Sequence, residues 1–172
     1  MRGLISIFAG LAMLAMVAFA GHAYAQSARK ISEYGDWATY SYQAQNGRVC
    51  YVLTVPKPKS MQPASVNHGQ MFFFVSQRPG QAVSFEPQFI AGYGLREGSK
   101  VSVAIGNKTF SMFTKGNSAW VENAAEEPQL IAAMKGGSDM QVQAMSGRGT
   151  KTSYSFSLKG ISAALDSIAG CK

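Results

Sequence analysis

The chain has 172 residues, and 16 lysines and arginines against 9 acidic residues give it a formal net charge of +7. Hydrophobic residues make up 47% and charged residues 15%, which is too apolar for a disordered chain, and the length suits one domain. Two cysteines exclude a disulfide-dense scaffold and a four-cysteine zinc site.

Residues 1–25 read as an export signal. Arg2 is the charged start, residues 4–20 are almost wholly apolar, and Ala23-Tyr24-Ala25 is a small-x-small site. This places the cut between Ala25 and Gln26. With residues 21–25 added, the apolar run approaches membrane-spanning length, but the Ala-x-Ala ending and the polar residues 26–30 favour cleavage. No cysteine lies near the cut to carry a lipid, and no second stretch is long enough to span a bilayer. Both cysteines, Cys50 and Cys171, lie beyond the signal. In an oxidising compartment they are expected to pair, tying the C-terminus to an early strand. Two free thiols are the alternative, and the absence of Cys-x-x-Cys spacing argues against redox catalysis.

Residues 26–33 are polar and expected to fray. Strands are predicted over 37–42 and 48–55, rich in aromatic and β-branched residues, with Asn46-Gly47 as the hairpin turn between them. Three prolines within 56–63 predict a loop. Residues 70–77 contain five apolar residues in a row, Met71 to Val75, and predict a strand buried on both faces. A strand over 83–88 follows, edged by Pro87, and the glycines within 89–98 predict a bend. Short strands over 100–105, 109–114, 119–122, 140–145 and 152–158 alternate apolar with polar residues and are punctuated by glycine turns. Two short helices are expected. The first spans 124–135: Asn123 and Glu126 have capping-box spacing, but a start with Pro128 as first residue suits the proline better, and Gly136 ends it. The second spans 161–169, with Ile161, Ala164, Leu165 and Ile168 on one stripe. The pattern predicts a mainly β domain over 34–172, an antiparallel β-sandwich or barrel with two short helices.

Catalytic constellations are missing. His68 is the one histidine beyond the signal; it falls in a loop, with no Gly-x-Ser-x-Gly elbow, and reads as a surface histidine. No metal-ligand cluster stands out, and no phosphate or dinucleotide loop is present. Glu126 and Glu127 point to different sides of a helix and suit its N-terminus better than acid/base work. The expectation is a non-enzyme without cofactor or metal. The basic residues are scattered, which argues against nucleic acid and leaves anionic envelope components, such as lipid headgroups or acidic glycans, as partners. Trp37, Tyr40, Tyr42 and Tyr51 concentrate in the first hairpin, either as a binding platform or as cross-strand packing.

Several segments resemble the invasion-associated locus B (IalB) family: Tyr34-Gly35-Asp36-Trp37, Val49-Cys50-Tyr51-Val52-Leu53, and the run from Ala119-Trp120-Val121 through Glu127. Arg148-Gly149-Thr150, Tyr154-Ser155-Phe156-Ser157-Leu158-Lys159-Gly160 and Ala163-Ala164-Leu165 with Cys171 continue the resemblance. It implies an exported bacterial envelope protein with no established catalytic residues, periplasmic or associated with the outer membrane or cell surface. Many members carry a cysteine four residues after the tryptophan; here Ser41 stands there, so a single bridge is implied. The expected function is binding to an envelope or host-surface partner. The alternatives are a soluble periplasmic module that takes an apolar ligand in its interior or caps another protein, and an envelope hydrolase using Glu or Asp.

Overall fold

A computed structural model describes residues 27–45, 47–77 and 85–171. The signal-like segment with Ala25 and Gln26, the turn residue Asn46, and Val83 and Ser84 of a predicted strand lie outside them. Ten strands run in chain order: β1 Arg29–Tyr34, β2 Trp37–Ala44, β3 Gly47–Thr54, β4 Phe72–Gln77, β5 Glu86–Ile90, β6 Lys100–Ile105, β7 Lys108–Lys115, β8 Ser118–Val121, β9 Asp139–Met145 and β10 Lys151–Ser157. Helix α1, Glu127–Gly136, lies between β8 and β9, and helix α2, Ile161–Ile168, follows β10.

All ten strands form one antiparallel sheet in the order β1-β2-β3-β4-β5-β8-β7-β6-β9-β10. Alternate residues of β2 to β10 point to one buried core, among them Trp37, Val52, Phe73, Phe89, Met112, Val121, Val103, Val142, Tyr154 and Phe156. A flat sheet cannot bring these together, so the sheet curls. Phe73 of β4 and Phe156 of β10, at distant sheet positions, meet with ring centroids 5.9 Å apart, and Phe89 of β5 lies 5.9 Å from Tyr154. The result is the expected mainly β, barrel-like architecture.

The seam between the sheet's two ends is made by recognisable sequence. The Asp36 amide donates to the Lys159 carbonyl at 3.0 Å, and the indole Nε1 of buried Trp37 donates to the Ser157 carbonyl at 3.0 Å. Gly35 and Gly160 face each other here. Gly160 has φ +93°, and a Cβ on it would lie 2.0 Å from the Tyr34 carbonyl oxygen, so only glycine permits this approach. The Tyr-Gly-Asp-Trp and Lys-Gly segments, far apart in sequence, are thus two sides of one closure.

The proline-rich stretch is a loop as expected, yet it has a job. Backbone bonds join Lys57 to Ser155 and Gln62 to Ser153, and they cover the free edge of β10, a position otherwise open to pairing with another chain. Lys57 also pairs with Asp139 of β9.

Two expectations are corrected. Residues 29–33, expected to fray, form β1, because backbone pairing with β2 needs no apolar side chain; none of the six residues of β1 is buried. The run at 71–75 is buried on one face only: Phe73 and Val75 enter the core, while Phe72 and Phe74 remain half-buried outside. Among the described residues no further element packs on that outer face, as is common for antiparallel sheets.

Helix α1 resolves the competing starts. Asn123 caps a short 3₁₀ turn by accepting from the Ala125 amide, and the α-helix then begins at Glu127 with Pro128 in its first turn. Leu130, Ile131 and Met134 enter the core. In α2 the predicted stripe of Ile161, Ala164, Leu165 and Ile168 is buried. The Cys50–Cys171 disulfide anchors the chain just beyond α2 to β3, across a sequence separation of 121.

Candidate functional site

The outer face of the sheet changes character along its width. Over β2, β3 and β4 it carries rings. Tyr40 stacks on Tyr51 with centroids 5.3 Å apart and planes 8° from parallel; Tyr42 meets Tyr51 edge-on, and Phe74 packs against Tyr51 at 5.5 Å. Phe72 extends the group through Phe74. Register explains this: Tyr40 pairs with Tyr51 across β2 and β3, and Leu53, Phe74, Gln88, Trp120 and Phe113 are successive partners across β3, β4, β5, β8 and β7. Trp120 stacks on Phe113, which is 42% exposed. A groove of about 370 Å³ runs over this face, lined in part by Tyr42, Val49, Tyr51, Phe74 and Ile90. Burial, then the neighbouring Tyr40 and Tyr42, push the Tyr51 hydroxyl above its ordinary range. It therefore remains a neutral hydrogen-bond donor at physiological pH.

Of the aromatic residues singled out in the sequence, Tyr40, Tyr42 and Tyr51 come together on this face. Trp37 does not; it is fully buried on the opposite side of β2. The rings of Phe72, Phe74, Phe113 and Trp120 escaped the sequence reading. Their signal was parity: in a one-sided strand, Phe72 and Phe74 must face away from Phe73. Both predicted cysteines are joined.

A second constellation surrounds His68, which is 6% exposed rather than a surface residue. The loop that carries it is held inward by two glycines in backbone contact: a Cβ on Gly92 would sit 2.4 Å from the His68 carbonyl oxygen. His68 Nε2 lies 3.0 Å from the Pro63 carbonyl, which can only accept, so Nε2 carries hydrogen. In the neutral ring Nδ1 then accepts from the Tyr154 hydroxyl at 2.8 Å. Tyr93 lies 2.9 Å from Tyr154 and 2.6 Å from the Thr152 hydroxyl, completing a chain from loop to strand. Burial drives the Tyr154 hydroxyl far above its ordinary range, so it works as a fixed neutral link. Both ring nitrogens of His68 are thus engaged by structural partners.

Among the described residues, no group of three or more His, Cys, Asp or Glu side chains could hold a metal ion. Glu126 and Glu127 begin α1 as expected. Burial, then the charge of Glu86, raises the Glu127 carboxyl above the usual carboxylate range. Among the described residues no helix is long and apolar enough to cross a membrane.

These features define a disulfide-closed, barrel-like β-domain with an aromatic outer face and a separate polar chain running from His68 to Thr152. The chain belongs to the invasion associated locus B (IalB) family, whose sequence pattern matches residues 37–169. Its structure is similar to the crystal structure of invasion associated protein b from Bartonella henselae. The TM-score is 0.58 at 14% sequence identity, covering 80% of this chain and 92% of that one; at that identity the likeness concerns the fold alone. A search of curated proteins finds no match.

Proposed function

We propose that this IalB-family protein is exported, stays in the cell envelope and acts there by binding rather than by catalysis, with the aromatic outer face as its contact surface. The carrying observation is the continuous group of half-exposed rings from Tyr40 to Phe74 on a sheet face that no other element covers among the described residues. Rings in this arrangement offer large contact area at low entropic cost, with tyrosine hydroxyls for direction. The signal-like N-terminus and the disulfide support export, and the family membership supports an envelope setting. A role in contact with host cells rests on the family name and is part of the proposal.

The test is saturable binding of the purified chain to outer-membrane vesicles of the producing bacterium and to host-cell surfaces. Tyr51→Ser and Phe74→Ser should reduce binding about tenfold or more, the usual loss for an interface anchor. Unchanged binding in both variants would remove the aromatic face from the function. Protease treatment of intact cells would then locate the protein: cleavage puts it outside, protection with release by osmotic shock puts it in the periplasm.

A second reading, a soluble periplasmic ligand-binding module, is favoured by the cleft beside His68 rather than by the barrel interior. The interior is filled by Trp37, Phe73, Phe89, Met112 and Phe156, all essentially inaccessible, so room for a ligand lies on the outside.

A further inference from the structure

The cleft beside His68 has a volume of about 490 Å³, and Asn67, His68, Tyr93, Ser146, Arg148 and Thr152 are among its lining. That is the size range of small-molecule sites. Among the described residues, the side chains around it include no carboxylate, and while His68, Tyr93 and Thr152 spend their donors within the protein, three other side chains keep theirs. Asn67 uses its Oδ1 to accept from the Gly69 amide, and its Nδ2 has no hydrogen-bond acceptor among the described residues. The Ser146 hydroxyl accepts from the Thr150 amide and keeps its hydrogen for another partner. Arg148, exposed on the β9–β10 turn, has neither an ion pair nor a side-chain hydrogen bond among the described residues. A second guanidinium stands beside the same turn: Arg96 Nη1 lies 3.9 Å from where a Cβ of Gly149 would sit, and its one side-chain bond is to the Met145 sulfur at 3.5 Å.

One wall is rigid for a reason already described. The His68–Tyr154–Tyr93–Thr152 chain holds the Tyr93 ring in place from behind, and Gly69 and Gly92 hold the two loops together. A half-buried ring fixed at the edge of a donor-rich, cationic recess is what recognition of a sugar-like anion requires: the ring covers the flat apolar side of the sugar, while guanidinium and hydroxyl groups meet its charge.

We propose that this cleft binds a small hydroxylated oxyanion, a sugar or polyol bearing a phosphate or carboxylate group, with Arg148 as its charge partner and Tyr93 as its stacking wall. This deepens the ligand-binding reading and is independent of the aromatic face, which lies on the outer surface of β2, β3, β4, β5, β8 and β7. The same chemistry could be presented as a free metabolite or as the exposed group of an envelope glycolipid.

The experiment is an amide-resolved NMR titration of the purified, disulfide-bonded chain at low ionic strength with glucose 6-phosphate, glucuronate and glucose. At least one of the two anions should cause saturable shifts at Gly94 and at residues 146–150, and glucose should bind about tenfold more weakly or not at all. Arg148→Gln should weaken the anion about tenfold, the scale of a lost charge-assisted hydrogen bond, without moving the unfolding midpoint. Tyr93→Phe keeps the ring and should retain most of the affinity, whereas Tyr93→Ala should lose it. Absence of saturable shifts with both anions, equal affinity for glucose, or an unchanged Arg148→Gln titration would each overturn the proposal. A soluble anion that competes with vesicles carrying phosphorylated glycolipid would assign the glycolipid as the source; no competition would assign the free molecule. Tyr51→Ser should leave the titration intact, so failure of the cleft and failure of the aromatic face are read separately.

Discussion

The two halves of the outer sheet surface were built on the same inward pattern and diverge only where they face outward. On β2, β3, β4, β5, β8 and β7 the outward positions include Tyr40, Tyr42, Tyr51, Leu53, Phe72, Phe74, Ile90, Trp120 and Phe113. On β6, β9 and β10 they are Lys100, Ser102, Ala104, Asp139, Gln141, Gln143, Met145, Lys151, Ser153, Ser155 and Ser157, with no ring among them. Both halves bury apolar residues inside, so folding is served equally well by serine and glutamine outside. The rings of the first half exceed what the core demands. Cross-strand ring contacts contribute about 0.5–1.5 kcal/mol beyond their burial, which explains some of them, but not a group of this extent with a groove across it.

That comparison is sharpest where inner and outer residues of one strand are truncated side by side. Trp37→Ala, on the inner side of β2, should cost about 3–5 kcal/mol and also break the seam bond to Ser157; denaturant unfolding would measure it. Tyr40→Ala, outward on the same strand, should cost no more than about 1.5 kcal/mol while reducing vesicle binding. In the serine half, Gln143→Ala should stay within about 0.5 kcal/mol and leave binding untouched. A Tyr40 loss as large as that of Trp37 would mean the rings are structural after all.

Cys50→Ser should lower stability by about 2–5 kcal/mol, since the bridge closes a long loop and pins α2 over the core. Two readily alkylated thiols in the purified protein would contradict the bridge. Gly160→Ala should destabilise by more than about 1 kcal/mol, because the residue is both left-handed and in contact with the Tyr34 carbonyl; it tests the seam without touching either half.

The smallest effect concerns Glu127. Its folded-state carboxyl titrates above the unfolded value, so the folded state holds its proton more tightly. Its ionisation therefore subtracts from stability at neutral pH, and the penalty fades as pH falls through the raised folded value. Glu127→Gln should stabilise the protein slightly near pH 7, with the gain vanishing below the ordinary carboxylate range. Unfolding midpoints at the two pH values would check the sign. A gain that grows on acidification would refute it.

Much of the fold was legible locally. The one-sided alternation of β6, β7, β9 and β10, the glycine turns, and the stripe of Ile161, Ala164, Leu165 and Ile168 each follow from the period of their element, which is a property of the chain itself. The pairing of Cys50 with Cys171 followed from the export reading. The strand β1 was not legible, because its stability comes from the backbone of β2 and leaves no apolar trace. The burial of His68 was equally hidden: a loop histidine looks solvent-exposed until Tyr154, Tyr93 and the Gly69–Gly92 contact are placed around it.

By itself, then, the sequence determined which residues turn inward along β6, β7, β9, β10 and α2, since that depends on neighbours a few positions away. Only the tertiary structure decided that the sheet curls until Trp37 meets Ser157, that Phe113 and Trp120 extend the tyrosine face, and that Arg148 and Tyr93 share a cleft. Those are contacts between residues far apart in sequence, set by strand order and register, and no local period encodes them.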